Sequence, residues 1–285
     1  MFKKILAEFN FRSGRRHHNP ARLALAAKQD QYNIRAAIEL SRMGDPGALN
    51  QSLMLTLAGL RDYAVQHGMR ASEKDFVEMV IHELENSRGQ CFQDIAALYF
   101  LGKKQGGYFV EVGTGNGEQL SNTFMLEKSY QWNGILFEPD RRFHESIGRL
   151  RTAKLDERPV YSSDDKVMEF LEVSNSGELS TLEDFRRADG RSRKGLRREV
   201  RTTTLNSALK LHNAPQTIDY ISIDTEGSEL EVLQGLNLDH YNVRFLTIEH
   251  NFEEKKKKSI QDYLAPFGFR TVLEQFSHMD IWLAR

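Results

Sequence analysis

The chain has 285 residues, 39 of them Lys or Arg against 40 Asp or Glu, for a net charge of −1, with 40% hydrophobic and 28% charged residues. This is the composition of an ordinary soluble chain of one domain plus an appendage, or of two small domains, and its neutral balance gives no global field directed at nucleic acid. A single cysteine, Cys91, excludes an intrachain disulfide and a cysteine metal cluster. No apolar run approaches the roughly 18 residues of a membrane span, and residues 1–9 lack the apolar core and cleavage site of a signal peptide. The expected location is therefore the cytoplasm.

Residues 1–20 are basic and polar, with Arg15-Arg16-His17-His18 read as a solvated loop. Residues 21–43 are rich in Ala, Leu and Gln and stop at Gly44-Asp45-Pro46-Gly47, as a helix does. A second helix is expected over 53–66. A third opens at Ser72, with Asp75 approximating a capping box and Phe76, Met79, Val80 and Leu84 on one face. Residues 1–89 thus read as a helical N-terminal region whose apolar stripes pack on the core domain or on a second copy in a homo-oligomer.

Residues 90–285 alternate strand and helix. A helix over 92–102 breaks at Gly106-Gly107, a strand follows at 108–112, and a glycine turn leads into a helix expected from about Glu118. The strand at 134–138 is followed by a helix capped by Asp140. Residues 158–162 read as a third strand and 167–173 as strand-like. Periodicity is lost over 174–198, where Arg186, Arg187, Arg191, Arg193, Lys194, Arg197 and Arg198 crowd. That loop is a solvated segment or a flap whose cations hold a phosphate or carboxylate of a ligand. A helix over 204–211, buried strands over 218–224 and 244–249, a helix beginning at Glu226-Gly227, a charged helix around Lys255 to Lys258, and a hairpin-like pair at 269–273 and 279–283 complete the chain. The fold class is α/β, a Rossmann-like, seven-stranded, mostly parallel sheet with an antiparallel terminal strand.

The chain is organised around YFVEVGTGNGEQLSNT, residues 108–123. An apolar strand turning on Gly113, Gly115 and Gly117 lets backbone approach a ligand without Cβ interference. The spacing departs from the dinucleotide pattern, and Glu118 stands where a pyrophosphate would dock. With Glu111 at the strand end, the turn suits a cationic or amine-bearing ligand instead. Glu138, 21 residues past Gly117 and closing the next apolar run, is the expected acceptor for ribose hydroxyls.

These segments resemble the FkbM-type methyltransferases: FVEVGTGNG with Ser121-Asn122-Thr123, LFEPD at 136–140, Thr203-Thr204-Leu205, IDYISIDTEGSELEVLQGL at 218–236 and LTIEHN at 246–251, preceded by Phe92-Gln93-Asp94. The resemblance covers residues 90–285. It departs at Thr114, where the family often has Ala, and the basic 186–201 stretch matches no family motif. It implies S-adenosylmethionine as cofactor, with Glu111, Gly113, Thr114, Gly115, Gly117, Asn122, Glu138 and Asp224 in its site. Ser163 and Asp164, after the expected third strand, are candidates to flank the adenine. Family acceptors include sugar and polyketide hydroxyls, so a small-molecule or glycan hydroxyl is the expected partner, with no nucleic acid.

Acids end four strands, at Glu111, Glu138, Asp224 and Glu249. Glu111 and Glu138 are expected to face the cofactor, and Asp224 with Glu226, and Glu249 with His250, the acceptor. His250 has the pKa range of a general base, Asp224 is an alternative base or orients the acceptor, and reaction by proximity alone is the third option. Asp224, Glu249 and Asn251 offer hard oxygen ligands, so Mg²⁺ is a candidate second cofactor. The readings competing with a transferase are a nicotinamide oxidoreductase, disfavoured by Glu118, and a binding or scaffold protein on the same fold.

Overall fold

The computed structural model describes residues 21–22, 46–174, 177–186 and 193–285. The basic segment 1–20 and nearly all of the expected helix 21–43 lie outside the described residues. The chain divides into two compact units, residues 1–71 and 72–285. In the first, helix α1 (Pro46–His67) contains the helix expected over 53–66. Helix α2 (Ala71–Glu83) starts ahead of Ser72, so Ser72 is not its cap. Phe76 and Met79 of α2 are buried as their spacing requires, Phe76 edge-on to Trp282 at 5.6 Å, whereas Leu84 lies beyond the helix and is exposed. The segment 72–83, assigned from sequence to the N-terminal region, therefore packs within the second unit.

The second unit continues with α3 (Gln93–Phe100), β1 (Tyr108–Val112), α4 (Phe124–Tyr130), β2 (Asn133–Phe137), α5 (His144–Leu150) and β3 (Lys154–Asp156). Then come β4 (Val167–Val173), β5 (Thr181–Leu182), β6 (Gly195–Arg201), α6 (Leu205–Leu211), β7 (Thr217–Ile223), α7 (Glu229–Gln234), β8 (Asn242–Glu249), α8 (Glu254–Leu264), β9 (Arg270–Thr271) and β10 (Asp280–Ala284). The main sheet has seven strands in the order β3-β2-β1-β7-β8-β10-β9. β3, β2, β1, β7 and β8 run parallel and β10 is antiparallel to both neighbours. The expected α/β sheet is what the structure shows.

Alternation along the parallel strands sends side chains to two buried faces. Val110, Val112, Ile221, Ile223, Leu246 and Ile248 pack with Leu205, Leu209, Val232, Leu233, Ile260 and Leu264 of α6, α7 and α8. Phe109, Leu136, Tyr220, Phe245 and Trp282 pack on the other face with Phe76, Ile95, Leu98, Met125 and Leu126.

Four local expectations are corrected. The third strand is Lys154–Asp156, and Val160 of the expected 158–162 makes only an isolated bridge to Thr203. The first helix after the glycine turn begins at Phe124, because residues 118–123 form an intervening turn held by side chains. The helix after β7 begins at Glu229, since Glu226 and Gly227 both take positive φ and do not enter it. Within the stretch 174–198, the described residues include β5 and the start of β6, which pair with β4 in a second, three-stranded sheet β5-β4-β6 inserted between β3 and α6.

Candidate active site

Strand order reverses between β1 and β7, and the loops leaving their carboxyl ends meet there, where parallel α/β sheets bind ligands. The glycine turn crosses the end of β7 closely: a Cβ on Gly113, at φ +88°, would stand 1.8 Å from the Asp224 carbonyl oxygen. Only glycine permits that approach. Gly115, at φ +59°, faces open space, with no heavy atom within 4 Å of a built Cβ. Its amide N–H donates to Glu138 Oε2 at 2.7 Å, and the Asp140 amide donates to Glu138 Oε1 at 2.8 Å. Glu138 is thus delivered to the turn from the end of β2. Burial pushes its carboxyl up to about 8 against those two donors. A buried acid beside an open glycine backbone fits a ligand carrying hydroxyl donors.

Glu111 is placed differently. It is 2% exposed and accepts from Ser121 Oγ (3.0 and 3.1 Å), the Asn122 amide (2.6 Å) and Thr123 Oγ1 (2.7 Å), with Arg151 Nη1 at 3.7 Å. Burial raises its pKa, which Arg151 and these donors offset in part. Arg151, which the sequence reading did not single out, also donates to Gly117 O, Ser121 Oγ and Thr123 Oγ1 and pairs with Glu127. It fastens the turn 117–123, and no sequence spacing marks it, since its partners lie 24 to 34 residues away. Thr114 is buried with its hydroxyl 3.4 Å from Glu111 O. The Asn122 side chain donates to Ser222 Oγ at 2.8 Å, leaving its own Oδ1 buried without a partner.

Ser163 and Asp164 are exposed. Asp164 accepts from the Thr204 amide (2.7 Å), Thr204 Oγ1 (3.2 Å) and Ser207 Oγ (2.7 Å), and Ser163 O accepts from Thr202 Oγ1. Their hydrogen bonds run to the start of α6, and none reaches Glu138 or the glycine turn.

On the same face as Tyr220, the polar positions of β7 and β8 climb from hydroxyls to acids. Tyr220 OH lies 2.7 Å from Thr247 Oγ1, and Thr247 Oγ1 is 3.4 Å from Ser222 Oγ. Above them, Asp224, Glu226 and Glu249 bring carboxylate oxygens within 4.8 Å of one another. Asp280, paired across from Glu249, adds a further acid that accepts from Gln93 Nε2 at 2.7 Å. Burial and neighbouring acids push Asp224 well above the ordinary carboxylate range, Glu249 up to about 8 and Asp280 up to about 7. Lys256 answers part of this charge through Glu229 at 2.5 Å. His250 is buried with Nδ1 unpartnered, and burial and then Lys257 lower its pKa, so it stands neutral near pH 7.

The inserted sheet frames this region. Ser180 Oγ donates to Asp140 Oδ2, Arg198 Nη2 to Pro139 O and Thr181 Oγ1 to Thr225 O, and the buried Arg193 pairs with Glu226. The described arginines of the basic stretch bind within the chain: Arg186 and Arg197 pair with Glu183, and Arg198 with Glu172. Arg187 and Arg191 lie outside the described residues.

A seven-stranded sheet of this order, with a glycine turn and an acid on the next strand end meeting at its switch point, is a Rossmann-like α/β architecture. The family model described as the Methyltransferase FkbM domain matches residues 111–285, so the chain belongs to the FkbM methyltransferases and is an S-adenosylmethionine-dependent methyltransferase. That membership sets aside the nicotinamide and scaffold alternatives. Among solved structures, precorrin-6y C5,15-methyltransferase from Geobacter metallireducens GS-15 is similar at 10% identity and TM-score 0.35, over 67% of this chain and 84% of that one. A methyltransferase from Pyrococcus furiosus is similar at 16% identity and TM-score 0.33, over 67% of this chain and 80% of that one. No curated protein matches the chain.

Proposed function

We propose that the enzyme methylates a hydroxyl of a sugar, glycan or other small natural-product acceptor, with His250 as general base and Asp224 and Glu249 orienting the acceptor. When bound, S-adenosylmethionine supplies an electrophilic methyl group. Gly113, Gly115 and Gly117 would hold it with Glu138 accepting from its ribose hydroxyls, and Glu111, Thr114 and Asn122 would shape the turn around it. The chain's own remaining tasks are to align the acceptor, exclude water and take the hydroxyl proton. The observation that carries this reading is the buried His250, whose Nδ1 has no partner at the end of the strand adjoining β7. A neutral imidazole with a free nitrogen can accept that proton.

The test is single-turnover transfer of a labelled methyl group from S-adenosylmethionine to a panel of glycosides and polyketide alcohols. His250→Ala should lower kcat by about 10²–10⁴-fold while cofactor Kd, measured by calorimetry, stays unchanged. A wild-type kcat in that variant rules out the base. Glu138→Ala should weaken cofactor binding by roughly 0.5–1.5 kcal/mol, the loss of a hydrogen bond to an uncharged acid.

A further inference from the structure

We propose that Asp224, Glu226 and Glu249 form a binding site for one hard divalent cation beside the methyl-transfer site. The three residues come from two adjacent strand ends, Asp224 and Glu226 following β7 and Glu249 ending β8, and their ligand oxygens lie within 4.8 Å of one another. Oxygens on opposite sides of a cation stand about twice the metal–oxygen distance apart, roughly 4–5 Å for bonds of about 2.0–2.6 Å. The observed spread therefore accepts an ion without a change of backbone.

A second observation points to a ligand. Glu249 is 6% exposed and its Oε2 has no hydrogen-bond partner. A buried carboxylate oxygen without a donor is costly, and a cation lying between it and Asp224 answers that cost. Three carboxylates with no thiolate or imidazole among them select the hard ions Mg²⁺, Mn²⁺ or Ca²⁺ over zinc or copper. Arg193 already pairs with Glu226 from the inserted sheet, which fixes that carboxylate from behind as outer partners of metal ligands do. The third oxygen the structure supplies is thus that of Glu226, where the sequence pointed to Asn251. The half-buried Asp224 leaves the cation reachable by an acceptor. Its role of polarising the acceptor hydroxyl rests on the proposed O-methyl transfer, whereas binding of the ion does not.

The experiment is titration of chelator-treated full-length protein with Mn²⁺, read by electron paramagnetic resonance, with Mg²⁺ as competitor and S-adenosylmethionine affinity measured separately on the same preparation. One Mn²⁺ per chain, displaced by Mg²⁺ and weakened at least tenfold in both Glu249→Gln and Asp224→Asn, is the expected result, with circular dichroism showing both variants folded. Absence of Mn²⁺ binding at millimolar concentration, or binding indifferent to both substitutions, overturns the site. If Mn²⁺ binds as expected but no acceptor hydroxyl is methylated, the cation site stands and the hydroxyl reading fails. Intact cofactor affinity without Mn²⁺ binding is the converse.

Discussion

Strand β7 is flanked by two aspartates whose surroundings are opposite. Asp219, near its amino end, is 2% exposed and is held by Lys104 at 2.7 Å, Arg244 at 3.2 Å and the Tyr108 amide at 2.9 Å. Asp224, immediately past the carboxyl end, is burdened by burial and then by Glu249, Glu226, Asp280 and Glu229, with Lys256 as an opposing cation. The same strand carries a carboxylate that the protein satisfies internally and one that it surrounds with like charge. Like charges are kept together at a free-energy cost, and such sites are where ligand chemistry is expected.

Exchanging each aspartate for asparagine should give opposite results, and this is the largest effect expected. Asp224→Asn should lower methyl transfer by about 10²-fold or more, the scale of losing a group that positions or deprotonates an acceptor, while stability by urea unfolding holds or rises because like charge is removed. Asp219→Asn should leave kcat within about twofold and cost roughly 1–3 kcal/mol, the scale of breaking charge-assisted hydrogen bonds to a buried group. Lys104 and Arg244 are partly exposed, so water recovers part of that loss. If both variants unfold alike and both retain kcat, the contrast has no functional content.

The sequence marked Asp224 as a strand-end acid of the site but gave no sign of what holds Asp219. Both sit in IDYISID, and what separates them is contributed by Lys104, Arg244 and Glu249 from distant segments. What was legible came from local chemistry. The apolar runs of β7 and β8 have to be buried on two faces, and the turn at Gly113 needs positive φ against the Asp224 carbonyl. What was missed depended on long-range pairing. Residues 118–123 look helical until Glu111 and Arg151 draw Ser121 and Thr123 inward. Strand β3 is only three residues long, too short for periodicity, while the more strand-like 158–162 is left with a bridge. The basic stretch reads as a solvated segment or a ligand-holding flap, because the partners of Arg193, Arg197 and Arg198, namely Glu226, Glu183 and Glu172, lie 14 to 33 residues away.

The carboxyl-end acids should also give the fold a pH dependence. Burial raises Glu138 from an ordinary value near 4.5 to about 8, and Asp280 from 3.8 to about 7. For an acid the sign is destabilising with rising pH: the folded state keeps the proton while the unfolded chain releases it. Stability is therefore largest below the unfolded values and falls as pH rises, by about 1.4 kcal/mol per pH unit for each group within its window. Urea midpoints should drop between pH 5 and pH 8, and Glu138→Gln should flatten part of that slope. A midpoint that rises with pH across this range would show that these carboxyls are ionised in the folded protein.

The smallest effect expected separates two roles for Asp164. Its carboxylate accepts four hydrogen bonds at the start of α6, from Thr203 Oγ1, the Thr204 amide, Thr204 Oγ1 and Ser207 Oγ. Burial opposes ionisation, but these donors together hold its pKa below the ordinary value, which is the signature of an acid whose ionised form is already engaged. Asp164→Ala removes a cap-like interaction and should destabilise the fold by about 0.5–2 kcal/mol. An adenine contact would add a distinct consequence, since losing an acceptor for the exocyclic amine weakens cofactor binding at least several-fold. The internal hydrogen bonds lead us to expect the first effect without the second, with S-adenosylmethionine Kd within about twofold of wild type by calorimetry. Asp164→Asn sharpens the test, because the amide oxygen still accepts from the Thr204 amide and should recover part of the stability. A tenfold loss of cofactor affinity in a variant of undiminished stability would return Asp164 to the adenine side of the site.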